Sequence, residues 1–159
     1  MKHLFLVMIL FVSTVCNAAF SDKDNDVVYF GNNTTNKGDN EMETNKIKIK
    51  VGSQTFTATL ADNQTSKVFQ EMLPMTIKMT DLHRNEKYYD LPESLPTNSS
   101  NPRTIQNGDL MLYGSRTVVL FYKTFSTSYS YTRIGKIDNP AGLASALGSG
   151  SVTVTIEAE

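Results

Sequence analysis

The chain carries four arginines, Arg84, Arg103, Arg116 and Arg133. Arg133 stands in "YTRIGKI", a strand-like run of aromatic and aliphatic residues. A guanidinium aimed over an apolar floor is a strong hydrogen-bond donor where water is excluded, and it can stabilise charge developing on a ligand oxygen. A floor made by Phe121 and Tyr113 would place Arg133 in that role. The plainer reading is a rim charge whose methylenes cover the edge of the core. Arg84, Arg103 and Arg116 fall in turns or loops, where a solvated charge is the simplest expectation.

Other chemistries are poorly supplied. Cys16 is the single cysteine, and His3 and His83 are the two histidines. Cys16 and His3 lie in an apolar leader, so the rest of the chain has no thiol nucleophile, no disulfide and no Cys/His zinc set. A Ser-His-Asp triad would have to use His83, in the turn-like "DLHRNE". The acidic residues are scattered, and no spacing places two together as a glycosidase pair. "GSGS" lacks both the pattern and the context of a phosphate loop. No metal and no cofactor are therefore expected. A net charge of −1 and a pI near 6.1 argue against a nucleic-acid surface, which needs clustered Lys and Arg.

Aromatic residues offer a binding surface instead. Tyr122, Phe125, Tyr129 and Tyr131 cluster around one polar-aromatic stretch, "FSTSYSY". Such a group can hold a peptide or sugar by stacking, or it can cover the end of a barrel. Tyr88 and Tyr89 must point to opposite faces of a strand, so at most one is core. The methionines of "EMLPMTIKM" are expected as core filler.

The elements that position these residues follow from periodicity. "KIKIKV" alternates lysines with Ile47, Ile49 and Val51, which marks a half-buried strand. Gly52-Ser53 suits a hairpin turn. "TFTATL" then returns with Phe56, Ala58 and Leu60 inward. Asp62 or Asn63 can cap a helix bearing Val68, Phe69, Met72 and Leu73, which Pro74 ends. "MTIKMT", "EKYYDL", "GDLMLY", "TVVLFYKT" and "RIGKI" are further strands, and "TVVLFYKT" is the most apolar. Residues 141–147 form a second short helix, and "VTVTIE" is the last strand. This mainly β inventory of eight strands and two short helices predicts a closed eight-stranded barrel with the helices at its ends. A two-sheet sandwich is the alternative.

"GDLMLYG", "VLFYKT" and "IGKIDNPAGLASAL" resemble, in order, three segments of the cyclophilins: a Gly-x-Leu strand, a Phe-Phe-Ile-Thr-like strand, and a Phe-Gly-Lys-Val strand followed by a glycine and a helix. The order of elements is similar too, particularly to the small atypical bacterial cyclophilin-like proteins. The resemblance implies a peptide-binding groove and matches Phe121 to the phenylalanine of its pocket. It does not carry over the catalytic arginine. The family's Phe-His-Arg follows its first helix, whereas His83-Arg84 lies in a turn. "QNGD" at 106–109 is the nearest counterpart of the family's Gln-Gly-Gly-Asp stretch. The chain also lacks tryptophan.

The expected domain spans residues 46–159. Ahead of it, residues 1–18 have a basic start, an apolar run too short to span a bilayer, and small residues before the cut, the pattern of a secretory signal peptide. Residues 19–45 are polar and form an expected flexible linker. The expectation is an exported protein, periplasmic or secreted, that binds a peptide or small ligand beside Phe121, Tyr113, Tyr131 and Arg133 with little or no catalysis. The alternative is a peptidyl-prolyl isomerase with Arg133 or Arg84 as donor. Cleavage before Cys16, with lipid attached there, is the rival processing route. "STVC" fits it poorly because Val15 precedes the cysteine. Labelling expressing cells with a palmitate analogue should leave the protein unlabelled, and a label lost in Cys16→Ser would establish the anchored form.

Overall fold

A computed structural model describes residues 44–159. The expected signal peptide, residues 1–18, and all but the last two residues of the expected linker, 19–45, lie outside the described residues. The domain begins with β1 (Lys46–Val51) and β2 (Gln54–Leu60), followed by α1 (Gln64–Glu71), β3 (Met75–Leu82) and β4 (Glu86–Asp90). A long loop leads to β5 (Thr104–Ile105), β6 (Asp109–Tyr113), β7 (Thr117–Phe121) and β8 (Phe125–Ser126). Then come β9 (Thr132–Ile137), α2 (Leu143–Leu147) and β10 (Val152–Ala158). Eight strands close an antiparallel barrel in the order β1-β10-β3-β4-β7-β6-β9-β2. No helix among the described residues is long and apolar enough to cross a membrane.

Strand alternation fills the barrel. Ile47, Ile49 and Val51 of β1 face inward with Phe56, Ala58 and Leu60 of β2 and Val154 and Ile156 of β10. The lysines between them face out, and Lys50 meets Glu157 across the strand at 2.6 Å. Such exposed pairs add little stability. Asn63, one of the two expected caps, accepts from the Ser66 backbone N–H at 2.9 Å. Ser66 Oγ donates to the Ile134 carbonyl at 2.7 Å and ties α1 to β9. Phe69 of α1 and Leu143 and Leu147 of α2 join the same core. Beside α1, β9 crosses β2 so closely that a Cβ on Gly135 would lie 2.6 Å from the Thr59 carbonyl oxygen.

β7 is buried on both faces. Val118 and Leu120 enter the barrel core, while Val119 and Phe121 face outward into a second apolar cluster with Ile105, Met111 and Tyr131. This double burial accounts for the unbroken apolar run read in the sequence. The outer cluster is covered by a strap in which β5 pairs with β8. Sequence reading leaves this stretch as loop, because two-residue strands are too short to show a period.

One charged group goes inward. β4 alternates Glu86, Tyr88 and Asp90 outward with Lys87 and Tyr89 toward the barrel. Lys87 is fully buried. Its ammonium donates to Asp81 Oδ2 at 2.6 Å and to the carbonyls of Gly148 and Gly150 at 2.9 and 2.7 Å. An ammonium has three donors, and all three are used. Gly148 and Gly150 adopt positive φ, 55° and 77°, a conformation that turns the chain after α2 at little cost for glycine. Tyr122 completes the network by donating to Asp81 Oδ2 at 2.6 Å. The Lys87 bond, and then the Tyr122 bond, hold the Asp81 carboxyl down at about 2. Burial, and then the bond to Asp81, push the Tyr122 phenol up.

Removing one member of a buried pair costs about 3–5 kcal/mol, because the other charge is left without compensation. Lys87→Met should therefore lose about that much stability in urea titrations. The Asp81 carboxyl is more acidic in the fold than in the unfolded chain. Its contribution is present above pH ~4 and disappears as pH falls through about 2. Asp81→Asn should flatten that acid limb, and an unchanged limb would show that the pair does not govern it.

Candidate functional site

The outward faces of β4, β7 and β6 form the floor of a groove on the barrel's outer wall. Register aligns Tyr88 with Val119, Val119 with Met111, and Thr117 with Tyr113. The segment 125–131, fixed at one end by the β5–β8 strap, rises along one side. The groove has a volume of about 530 Å³.

Five aromatic rings make one wall. Tyr129 meets Tyr113 edge-on at 6.0 Å, and Tyr113 meets Tyr131 at 5.7 Å. Tyr131 stands edge-on to Phe121 at 5.5 Å, and Phe121 meets Phe125 at 5.7 Å. Edge-to-face and tilted contacts of this kind are favourable and hold the rings in place. Exposure grades along the series: Tyr129 is 61% and Tyr113 46% exposed, Tyr131 only 7%, and Phe121 none. The base is packed and the lip is open. Exposed rings on a rigid base suit a ligand that binds by stacking.

The β4 edge of the floor is acidic. Glu86 and Asp90 of β4 line the groove, with His83 and Asn85 from the turn before β4. The Asn85 side-chain oxygen is buried with no hydrogen-bond partner among the described residues. Burial raises the Glu86 carboxyl above the usual range, although the His83 charge opposes the shift. Burial, followed by the Glu86 charge, raises the Tyr131 phenol. Glu86 is thus partly desolvated and near the aromatic wall. Among the described residues, no lysine or arginine lines the groove.

The structure brings together some of the residues expected from sequence and separates others. Tyr113 and Tyr131 line the groove, and Phe121 supports it from beneath. Arg133 is not among the lining residues. It lies on β9 opposite Met111, half exposed, with Nη1 3.5 Å from Asp109 Oδ1. Lys136 Nζ is 3.7 Å from the same oxygen. Asp109 is buried, and the attraction of its carboxylate turns Arg133 toward the start of β6. Arg84 is exposed in a left-handed turn, φ 56°, where its backbone N–H donates to Asp81. Arg103 is exposed, and Arg116 Nε donates to the Leu91 carbonyl. Of the sequence cluster Tyr122, Phe125, Tyr129 and Tyr131, the last three line the groove, while Tyr122 belongs to the Lys87 network. Glu86 and Asp90 were missed, although the alternation of "EKYYD" places both on the face of Tyr88. Among the described residues, no three His, Cys, Asp or Glu side chains come together as metal ligands.

A family model described as the Cyclophilin-like family matches residues 49–157. Among solved structures, the solution structure of a hypothetical protein from Archaeoglobus fulgidus is similar, with a TM-score of 0.58 at 16% identity. The match covers 74% of this chain and 96% of that one, and at such identity it shows a common fold. A search of curated proteins found no match.

Holding Glu86 ionised in a half-buried position costs stability. Its raised folded pKa means that its net contribution is most favourable at low pH and is lost as pH rises through the folded value. Glu86→Gln should raise the thermal midpoint at pH 7 and leave it nearly unchanged at pH 3. A lower midpoint at pH 7 would show that the carboxylate is stabilised where it stands.

Proposed function

This chain belongs to the Cyclophilin-like family, and from that premise we propose that its barrel is an exported binding module that takes a peptide or small ligand into the outer groove. The observation that carries the reading is the open tyrosine lip, Tyr113 and Tyr129, set on the buried base of Tyr131 and Phe121. A stacking surface held this way presents large rings at little entropic cost. Export rests on the leader-like pattern of residues 1–18, and the proposed location is periplasmic or secreted.

The isomerase reading needs a donor placed against a twisting amide. None of the four arginines lines the groove, which favours binding without turnover.

Titration of the ¹⁵N-labelled domain with Ala-Pro and Phe-Pro peptides should shift the amides of Tyr113, Tyr129 and Tyr131. Tyr113→Ala should weaken binding about tenfold, the equivalent of about 1.4 kcal/mol. In the same samples, cis-trans exchange of the peptides should keep its uncatalysed rate. Groove amides unmoved at millimolar peptide would overturn peptide binding. Acceleration abolished by Arg133→Ala would restore the isomerase.

A further inference from the structure

The groove's aromatic wall and its β4 edge differ in kind, and the difference bears on what it can hold. One wall offers the faces and edges of tyrosine rings. The β4 edge offers carboxylates, those of Glu86 and Asp90. Among the described residues, His83 is the single basic residue on the lining, and no lysine or arginine neutralises the carboxylates from within. Lys87, next to Glu86 in sequence, points to the other side of the sheet and is fully engaged with Asp81 and two carbonyls.

We infer that the groove selects an organic ammonium, its apolar body lying on the tyrosine wall and its charged head taken by Glu86. This rests on the binding role proposed above and specifies the ligand class. Two interactions act in the same direction. A cation near tyrosine faces is attracted by the ring quadrupole, more strongly when partly desolvated. A half-buried carboxylate with His83 as its basic neighbour, and no lysine or arginine beside it on the lining among the described residues, gains further from a cation that reaches it. Burial lifts the Glu86 carboxyl despite the His83 charge, so the carboxylate stands partly stripped of water. An anionic ligand would meet two carboxylates against a single histidine, so the same arrangement disfavours it. Fitting occupants are a primary amine on an aromatic or alkyl body, or the lysine side chain of a peptide.

Three probes of nearly equal size separate charge from shape: 2-phenylethylammonium, 2-phenylethanol and phenylacetate. Each is titrated at pH 7 into the ¹⁵N-labelled domain, with shifts followed at Glu86, Tyr113, Tyr129 and Tyr131. The ammonium should bind about tenfold more tightly than the alcohol, and phenylacetate should be weakest. Glu86→Gln, which keeps shape and removes charge, should erase the preference while the alcohol still binds. Raising salt should weaken the ammonium alone. Equal affinity for ammonium and alcohol would overturn the charge selection and leave the groove as a neutral binding surface. Silence from all three probes at the groove would overturn both the selection and the binding role. A preference retained in Glu86→Gln would remove Glu86 from the role assigned to it.

Discussion

β7 is a strand with no solvent face. Its inward residues, Val118 and Leu120, belong to the barrel core, and its outward residues, Val119 and Phe121, belong to the base of the groove. Most small barrels bury the inside of each strand and wet the outside. Here the outside of one strand must also stay dry, and the structure meets that demand with the β5–β8 strap and the segment after it. Phe121 then holds Tyr131 edge-on, and Tyr131 in turn supports Tyr113. The groove's rigidity is inherited from the barrel through this one strand. A side chain that loosened β7 would disturb folding and recognition together.

The Lys87 network does comparable work at the adjoining strand. A buried ammonium is costly unless all its donors are met, and here they are met by one carboxylate and two carbonyls from the turn after α2. The two carbonyls lie more than sixty residues from Lys87 along the chain. The network therefore links the β3–β4 hairpin to the chain entering β10. The same hairpin presents His83 and Asn85 to the groove. Lys87 inward and Glu86 outward are consecutive residues with opposite fates, decided only by the pleat of the strand.

Much of the fold was legible because it depends on period-two alternation, which "KIKIKV" and "VTVTIE" show plainly. The strap was not legible, since two-residue strands leave no period and are held by what they cover. The inward lysine was illegible for a different reason. Nothing in the strand pattern distinguishes Lys87 from the solvated lysines of β1; Asp81 faces it across the β3–β4 hairpin, but the two carbonyls lie more than sixty residues on, and only the closed barrel brings them to it. At the groove, the aromatic stretch flags Tyr129 and Tyr131, which line it, and the resemblance picks out Phe121, which packs beneath them. Arg133 was drawn toward the site by its apolar neighbours in sequence, but the buried carboxylate of Asp109 claims it in space. A competition between two attractions cannot be read from spacing along a chain.

The barrel closes by pairing its first strand with its last. Glu159 N–H donates to the Lys46 carbonyl at 3.1 Å, and Thr44 donates to the Glu159 carbonyl at 2.6 Å. In the ring of eight strands, β7 stands four places from β1, on the far wall. Both ends of the domain therefore leave from one side while the groove opens on the other. A unit with that layout can be hung from a surface, spliced into a loop of another protein or permuted at its natural junction, and its binding face still points away from whatever carries it.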